Sequence, residues 1–311
     1  MKIVCLDALT LGNDVDLSIF KRFGEFISYA VTSKDETIAR LKNADVVITN
    51  KVIIDKNVMD ECENLKLVCV SATGTNNVDM SYAAQKGVVV KNVAGYSTNS
   101  VVQHTFACLL GLCNEIKFYD DYAKSGEWVK SEIFTNLSKG IGEISGKNFG
   151  IIGLGEIGRG VAKLASAFGA NIFYYSTSGK NQNGEFTRLE LNELLKICDI
   201  ISIHAPLNEN TKALIGEREL NLMKEGAVLM NFGRGGIIDE NALARAIDSK
   251  NLRACIDVLQ SEPMRPNHPF LHLKNSANLI ITPHVAWASK EAREKLIKLI
   301  VKNIEDFIKE R

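Results

Sequence analysis

The stretch FGIIGLGEIG, at residues 149–158, decides the fold of this chain. Phe149–Gly153 is an apolar run typical of a buried strand, and Glu156–Phe168 carries apolar residues at helical spacing. Between them, Gly153-Leu154-Gly155-Glu156-Ile157-Gly158 matches the pattern G-x-G-x-x-G. The first glycine permits a tight turn, the second lets the backbone approach a pyrophosphate, and the third lets helix and strand pack closely. In this context the motif predicts a dinucleotide site; a glycine turn that binds no nucleotide is the alternative.

Short β-branched runs alternate with helical patterns on both sides of this stretch. The other predicted strands are Lys2–Asp7, Phe26–Val31, Asp45–Thr49, Leu67–Val70, Val88–Asn92, Asn171–Tyr175, Ile200–His204, Ala227–Asn231, Arg253–Val258 and Asn278–Thr282. Helices are predicted between them, near Asp35–Asn43, Asp55–Cys62, Met80–Lys86, Arg188–Ile197, Glu217–Met223 and Glu240–Asp248. This alternation is typical of parallel sheets with helices on both faces, and 311 residues suggest about two domains. We therefore expect an α/β protein with two Rossmann-like or flavodoxin-like doubly wound parallel-sheet domains and a cleft between them.

Charge and cysteine usage limit the class of protein. Lys+Arg and Asp+Glu are both 37, and no basic stripe follows the chain, so no nucleic-acid partner is expected. Seven cysteines are scattered without a C-x-x-C pair, which favours buried free thiols in a reducing cytoplasm over a disulfide frame or a metal site. The most apolar helical stretch, Val101–Cys113, is shorter than the roughly 20 residues of a membrane span. The expectation is a cytoplasmic protein with no metal site and no membrane segment.

The second strand of the nucleotide-binding region ends without the acidic residue that reads the ribose of NAD. Strand Asn171–Tyr175 ends before Ser176, and 176 − 158 = 18, close to the about 20 residues expected for that acid. Ser176 and Thr177 offer hydroxyls here, and Lys180 offers a cation that would tolerate a 2′-phosphate. A plain polar turn, with NAD bound through other contacts, is the alternative. The expected cofactor is therefore NAD(H) or NADP(H).

Three side chains follow predicted strands at the edge where open α/β sheets bind ligands. Arg234 lies in NFGRGG (231–236), Glu262 in DVLQSEP (257–263) and His284 in TPHVAWA (282–288). A guanidinium suits a carboxylate, and an imidazole can donate a proton to a ketone. A carboxylate on the second ring nitrogen would orient the ring and favour its charged form. The trio predicts a catalytic site for a 2-keto acid; a surface arginine, a turn carboxylate and a structural histidine are the alternatives.

The order of these motifs resembles that of the D-isomer-specific 2-hydroxyacid dehydrogenases. Besides the glycine turn, the chain carries SATGTNNVD (71–79), HAPLNENT (204–211), NFGRGGIID (231–239), DVLQSEP and TPHVAWA. The resemblance covers nearly the whole chain, and Trp287 with TNKV (49–52) looks most like the glycerate dehydrogenase/hydroxypyruvate reductase branch. It implies a substrate domain of residues 1–97 plus 286–311, and an inserted dinucleotide-binding domain of residues 98–285.

The resemblance also implies roles for individual residues. Thr73 and Gly74 would offer backbone N–H groups to the substrate carboxylate, and Trp287 would wall the pocket, unless it only packs in the core. Asp257 would accept from the nicotinamide carboxamide, unless it is a buried aspartate satisfied by backbone amides. The implied cofactor contacts are Gly153, Gly155, Glu156, Ile157, Gly158, Ser176, Thr177, His204, Ala205, Pro206, Thr211, Phe232, Gly233 and Asp257. A homodimer through residues 98–146 is implied as well, since the family usually associates through the arm that follows the crossover helix.

Together these features predict an oxidoreductase that transfers a hydride between NAD(P)H and a small 2-keto or D-2-hydroxy acid. Hydroxypyruvate or glyoxylate, giving D-glycerate or glycolate, is the preferred substrate. Another D-2-hydroxy acid (D-lactate or 3-phosphoglycerate) is one alternative, and a non-catalytic NAD(H)-sensing protein is another.

Overall fold

The computed structural model describes residues 1–180 and 184–310, and the chain divides into two compact units. Unit 1 consists of Met1–Ser97 with Ala288–Arg311, and unit 2 of Thr98–Trp287. Each unit is built on one parallel sheet. The expectation of two parallel-sheet α/β domains is therefore confirmed.

Unit 1 carries a five-stranded sheet. Its elements in the first part of the chain are β1 (Lys2–Cys5), β2 (Glu25–Ser28), α1 (Lys34–Leu41), β3 (Val46–Thr49), α2 (Lys56–Glu61), β4 (Leu67–Val70), α3 (Met80–Lys86) and β5 (Val89–Lys91), with 3-10 helices at Ala8–Leu11 and Ser18–Phe23. The strand order is β2-β1-β3-β4-β5, and all neighbours are parallel. β3 and β4 are buried along their whole length, as expected for strands covered on both faces.

Unit 2 carries a seven-stranded sheet. Its elements are α4 (Thr98–Cys113), α5 (Ile116–Lys124), β6 (Asn148–Ile152), α6 (Glu156–Ala167), β7 (Asn171–Tyr175), β8 (Thr187–Arg188), α7 (Leu191–Ile197), β9 (Ile200–Ile203), α8 (Glu217–Leu222), β10 (Val228–Asn231), α9 (Glu240–Lys250), β11 (Arg253–Ile256) and β12 (Leu279–Ile281), with 3-10 helices at Glu127–Lys130, Pro269–His272 and Ser276–Asn278. The strand order is β12-β11-β10-β9-β6-β7-β8. The carboxyl ends of all these parallel strands therefore lie along one edge of the sheet.

The final helix, α10 (Lys290–Lys309), belongs to unit 1 and packs on β4. Its apolar face is buried, and Ser289 caps its first turn by accepting from the Ala292 amide. Arg293 donates to the Leu11 carbonyl and pairs with Asp14, so the helix is also anchored near β1. The chain thus returns at its end to complete the unit in which it began.

Two predictions about element bounds are wrong. Arg188 lies in β8 and not at the start of a helix. The sequence did not predict this strand because two residues are too few to show a periodic pattern. Asp7, His204 and Asp257 lie beyond the last residues of β1, β9 and β11 rather than inside those strands. The apolar sequence pattern continues beyond the last hydrogen-bonded residue of the strand, because the first residues of the loop are also buried. Leu6 and Val258 are examples. The difference matters because it places polar side chains in loops at the edge of the sheet.

The cysteines and helices bear on the expected cell compartment. All seven cysteines lie within the described residues, and each is buried and free of a disulfide. Across residues 1–180 and 184–310, no helix has both the length and the apolar character needed to cross a bilayer.

Candidate functional site

The turn between β6 and α6 presents free backbone amides. Gly153 has φ 93°, in the left-handed region that favours glycine. Gly155 caps α6 without a side-chain hydrogen bond, so the first amides of the helix remain available to a ligand. A Cβ on Gly155 would meet no atom within 4 Å, whereas one on Gly158 would lie 2.3 Å from the Gly153 carbonyl oxygen. The turn therefore has the open space and the close packing that a pyrophosphate-binding turn needs.

Two charged side chains flank this turn. The Glu156 carboxylate accepts from the Thr98 hydroxyl at 2.9 Å. Arg159 folds back and donates to the Leu154 carbonyl at 3.1 Å. The turn thus carries one anionic and one cationic side chain beside its glycines.

The ends of β6, β9 and β10 pack backbone against backbone. A Cβ on Gly153 would lie 2.9 Å from the Ala205 nitrogen, and one on Gly233 would lie 2.6 Å from the Ala205 oxygen. Phe232 is buried next to this contact and stacks on His204, with ring centroids 6.3 Å apart. Five of the predicted cofactor contacts therefore meet at one point of the sheet edge.

His204 has a buried imidazole. Its Nε2 lies 2.8 Å from the Ser202 hydroxyl, and its buried Nδ1 has no partner in the described part of the chain. Burial lowers the pKa of His204 to about 3, because the low-dielectric surroundings disfavour the charged form. The ring is therefore neutral at physiological pH. In the same loop, the Thr211 hydroxyl donates to the Pro206 carbonyl at 2.6 Å and fixes its shape.

The turn after β7 is polar and is held by a cation. Ser176 is buried, Thr177 is half-buried, and Lys180 is exposed. Arg188 on β8 donates to the Gly179 carbonyl at 3.1 Å. The sequence missed this contact because it placed Arg188 in a helix; the pairing of Arg188 with Tyr174 across β7 and β8 brings it to the turn. Two hydroxyl side chains and two cations, those of Lys180 and Arg188, therefore belong to this turn or contact it.

Arg234 lies in a loop that its neighbours hold in place. Asn231, at the end of β10, accepts from the Gly233 amide at 3.0 Å and donates to the Arg234 carbonyl at 2.9 Å. The half-buried guanidinium donates to the Gly233 carbonyl at 2.8 Å. A Cβ on Gly235 would lie 1.9 Å from the Leu259 oxygen, so this loop rests directly on the loop that follows β11.

Glu262 and His284 are in direct contact. The imidazole Nδ1 lies 2.8 Å from Glu262 Oε2, and the other carboxylate oxygen accepts from the Leu259 amide at 3.0 Å. The two side chains are 32% and 25% exposed, so a ligand can reach them. Since a carboxylate only accepts, Nδ1 carries a proton. Nε2 has no hydrogen-bond partner within residues 1–180 and 184–310, and it is left to meet a ligand.

The backbone of His284 is held by Asp257. His284 has φ 55°, in the left-handed region that is unfavourable for a residue with a Cβ. The Asp257 carboxylate accepts from the Val285 amide at 2.9 Å, the Ala286 amide at 3.1 Å and the Thr282 hydroxyl at 2.6 Å. The Asp257 carbonyl accepts from the His284 amide at 2.8 Å. Asp257 is therefore a buried aspartate that is satisfied mainly by backbone amides, which was the alternative to a cofactor contact. That it also accepts a hydrogen bond from the nicotinamide carboxamide stays a prediction.

His104 extends this network from α4. Its Nε2 lies 3.1 Å from the Thr282 hydroxyl, which itself donates to Asp257. The hydroxyl must therefore accept from His104. A hydrogen bond with the Cys108 side chain raises the pKa of His104, with a further contribution from Asp257. The contact of His104 with the loop of His284 joins residues 178 positions apart in the chain and forms only on folding.

Thr73, Gly74 and Trp287 are predicted substrate contacts with local surroundings of their own. In unit 1, the Thr73 hydroxyl donates to the Val93 carbonyl at 3.0 Å. The backbone amides of Thr73 and Gly74 donate no hydrogen bond within the described ranges, as a carboxylate-binding turn requires. Trp287 packs against the core of unit 2, which agrees with the packing alternative for this residue.

Comparisons with known proteins agree on one family. A family model described as the D-isomer specific 2-hydroxyacid dehydrogenase, NAD binding domain, matches residues 106–286. A hydroxypyruvate reductase of Blautia hydrogenotrophica is 36% identical, over 99% of this chain and 97% of its own length. A glycerate dehydrogenase of Methylorubrum extorquens is 35% identical, over 99% of this chain and 96% of its own length.

A solved structure of similar fold covers the whole chain. An acyclic imino acid reductase in complex with NADPH and D-Arg superposes with a TM-score of 0.88 at 29% identity, over 100% of this chain and 98% of its own.

Proposed function

Because the chain belongs to the D-isomer-specific 2-hydroxyacid dehydrogenase family, we propose that it reduces hydroxypyruvate or glyoxylate to D-glycerate or glycolate. The observation that carries this proposal is the contact between Glu262 and His284. It leaves Nε2 of the imidazole, at the carboxyl edge of the sheet, without a hydrogen-bond partner among the described residues. An imidazole held in this way by a carboxylate is a general acid with a fixed direction. The names of the two relatives support the choice of substrate.

Each member of the trio has one role in this reaction. Arg234 binds the carboxylate of the keto acid with its planar guanidinium. His284 donates the proton on Nε2 to the ketone oxygen, and in the reverse direction it takes the proton from the hydroxyl. Glu262 keeps the proton on Nδ1 and stabilises the imidazolium that exists before the transfer. Thr73 and Gly74 add backbone N–H groups for the substrate carboxylate.

When bound, a nicotinamide nucleotide would supply the hydride that reduces the carbonyl carbon. The amides after Gly153, the open space at Gly155 and the packed strand ends at Ala205 fit its pyrophosphate. We further propose that Asp257 serves mainly to hold the loop of His284, and that any carboxamide it accepts from is an additional partner.

The test is turnover by the purified protein. Hydroxypyruvate, glyoxylate, pyruvate and 3-phosphohydroxypyruvate are each followed with NADH and with NADPH. Highest kcat/KM on hydroxypyruvate or glyoxylate supports the proposal. Highest values on pyruvate or 3-phosphohydroxypyruvate would replace it with D-lactate or 3-phosphoglycerate chemistry. Nucleotide binding without turnover of any keto acid would indicate a sensing protein instead.

The turn after β7 favours NADPH over NADH. Its hydroxyls and the cations of Lys180 and Arg188 suit a 2′-phosphate, and no carboxylate stands at Ser176 to repel one. Titration of NADPH and NADH by nucleotide fluorescence measures the preference without turnover. Arg188→Gln should weaken NADPH more than NADH, whereas Lys196→Gln, an exposed cation on the neighbouring helix α7, should change neither. Equal loss for both nucleotides in Arg188→Gln would contradict this role.

A homodimer is proposed through residues 98–146. The segment after α4 carries large apolar side chains that are exposed in the single chain and that a second copy would cover. They are Ile116, Trp128, Val129, Ile133, Phe134, Leu137 and Ile141. Sedimentation velocity should give twice the chain mass, and Phe134→Asp with Leu137→Asp should give the single chain mass. Monomers of the unchanged protein at micromolar concentration would contradict the proposal.

A cytoplasmic location is proposed as well. Seven buried free thiols suit a reducing compartment. Cell fractionation with detection of the untagged chain tests this location.

A further inference from the structure

A second histidine–carboxylate pair contacts the loop that carries Glu262. Glu240 is the first residue of α9, and His268 precedes the 3-10 helix Pro269–His272. Their side chains are only 15% and 7% exposed, and Nε2 of His268 lies 2.9 Å from Glu240 Oε2. His268 also packs edge-on against Phe270, with ring centroids 4.7 Å apart. Neither residue belongs to a motif that the sequence analysis described.

The hydrogen bonds of the pair fix its protonation pattern. The Phe270 amide donates to Nδ1 of His268 at 3.3 Å, so in the neutral ring the proton is on Nε2. Nε2–H then donates to Glu240 Oε2. The other oxygen, Oε1, accepts from the Gln260 amide at 2.6 Å. Glu240 therefore needs two acceptor oxygens, one for each partner.

The pair holds the loop that carries Glu262 from both sides. Gln260 precedes Glu262 by two residues, and its amide is bound by Glu240. The Leu259 amide, one residue earlier, is bound by Glu262 itself. At the far end of the loop, His268 is the residue bound to Glu240. A continuous set of contacts thus runs from His268 through Glu240 and this loop to Glu262 and His284.

A purely stabilising role explains this pair poorly. Placing a carboxylate and an imidazole in a buried site costs desolvation energy, and well-packed apolar residues often stabilise such a site as well or better. What the pair adds is direction, because a carboxylate accepts at defined positions on both of its oxygens. We propose that Glu240 and His268 are positioning residues that set where the Glu262 carboxylate meets the imidazole of His284.

The inference rests on the proposed function for its kinetic consequence, so its test has one readout that needs no substrate. Glu240→Gln leaves only one acceptor oxygen, so either the Gln260 amide or His268 loses its bond. A displacement of the order of 1 Å can cost about a hundredfold in rate. We expect kcat on the best keto acid to fall at least about tenfold, with the dissociation constant of NADPH unchanged. The matched control is Glu217→Gln, since Glu217 is also the first residue of a helix but is exposed.

The second readout is the protonation of His284 itself. The chain has five histidines, so ¹⁵N-histidine labelling gives few enough long-range proton–nitrogen correlations to assign. His284 should show a proton on Nδ1 in the unchanged protein, and a mixture of tautomers in Glu240→Gln. An unchanged His284 pattern together with an unchanged kcat in folded Glu240→Gln would sink the proposal.

Substitution of His268 separates positioning from folding. His268→Gln keeps an N–H donor near the position of Nε2, whereas His268→Leu fills the space without one. We expect His268→Gln to retain most of the activity and His268→Leu to lose it, although both fold by circular dichroism. Equal activities in these two variants would contradict a positioning role. If no variant, nor the unchanged protein, reduces any keto acid, the proposed function fails, and the tautomer of His284 still decides the inference.

Discussion

Asp7 in unit 1 and Asp257 in unit 2 occupy equivalent places in two sheets. Each is buried, each follows a parallel strand, and each binds the loop that follows a neighbouring strand. Asp7 follows β1 and accepts from the amides of Asn50, Lys51 and Val52, after β3. Asp257 follows β11 and accepts from the amides of Val285 and Ala286, after β12. The same arrangement of carboxylate and amides thus shapes one loop in each sheet.

The contents of the two loops differ. The loop bound by Asp7, residues 50–52, lies wholly within the described residues. None of its three residues has a positive φ, and none is a histidine. The Asp257 loop holds His284 at φ 55°, a conformation that costs roughly 1–2 kcal/mol for a residue with a Cβ. In unit 2 the aspartate therefore supports a residue in an unfavourable conformation, and the side chain of that residue is the proposed general acid. We infer that a common local structure has been used for chemistry in only one of its two places.

The largest expected effect removes the imidazole from the Asp257 loop. His284→Asn should lower kcat by about a thousandfold, because general acid catalysis contributes about 10²–10⁴ and the amide cannot replace it. Asn tolerates the left-handed conformation, so the loop and the dissociation constant of NADPH should stay unchanged. Steady-state kinetics and nucleotide fluorescence measure the two quantities. The control is His272→Asn at an exposed position, and loss of nucleotide binding in His284→Asn would mean that the residue is structural.

The next prediction compares the two aspartates directly. Asp257→Asn places an amide N–H against backbone N–H groups and should displace His284, so we expect kcat to fall about a hundredfold. Asp7→Asn makes the same chemical change at a loop without a group that moves protons, and kcat should fall far less. Steady-state kinetics on both variants decides the matter. Equal losses in kcat would remove the distinction drawn between the two loops.

The same two variants should lose stability to a similar degree. An unsatisfied buried donor or acceptor costs roughly 1–3 kcal/mol, so each free energy of unfolding should fall by about 2 kcal/mol. Both tryptophans, Trp128 and Trp287, lie in unit 2, so their fluorescence in urea reports on Asp257→Asn. Circular dichroism in urea reports on both units and is needed for Asp7→Asn. Stability unchanged in either variant would mean that its carboxylate is not needed by the loop.

The smallest expected effect concerns the buried imidazole of His204, which follows β9. Burial lowers the pKa of His204 to about 3, below its ordinary 6.5. The unfolded chain therefore takes up a proton below pH 6.5 that the folded chain refuses, so this contribution to stability is complete above 6.5. It is lost as the pH falls from 6.5 toward 3, by up to about 1.4 kcal/mol per pH unit. Between pH 7 and 5.5, urea unfolding should show the unchanged protein losing about 1 kcal/mol more than His204→Gln. Parallel losses would contradict a neutral His204.

The limits of sequence-based prediction follow from the distance between partners. Leu67–Val70 and Asn171–Tyr175 were predicted to the residue, since an apolar run followed by polar turn residues is local information. The contact of Glu262 with His284 was predicted because both occur in motifs that resemble those of one family. Glu240 and His268 are 28 residues apart and belong to no such motif, so only the folded chain shows their contact. Arg188 was misplaced because an edge strand of two residues leaves no periodicity to detect.

The contact of Gly153 and Gly233 with Ala205 restricts how this nucleotide site can be altered. Its floor consists of main-chain atoms from three strand ends, and no side chain there can be enlarged or recharged without forcing the strands apart. An engineer who wishes to change the cofactor has no freedom beneath the phosphates. Substitutions are better placed in and beside the turn after β7, at residues such as Thr177 and Arg188, whose side chains are half-buried and exposed, respectively.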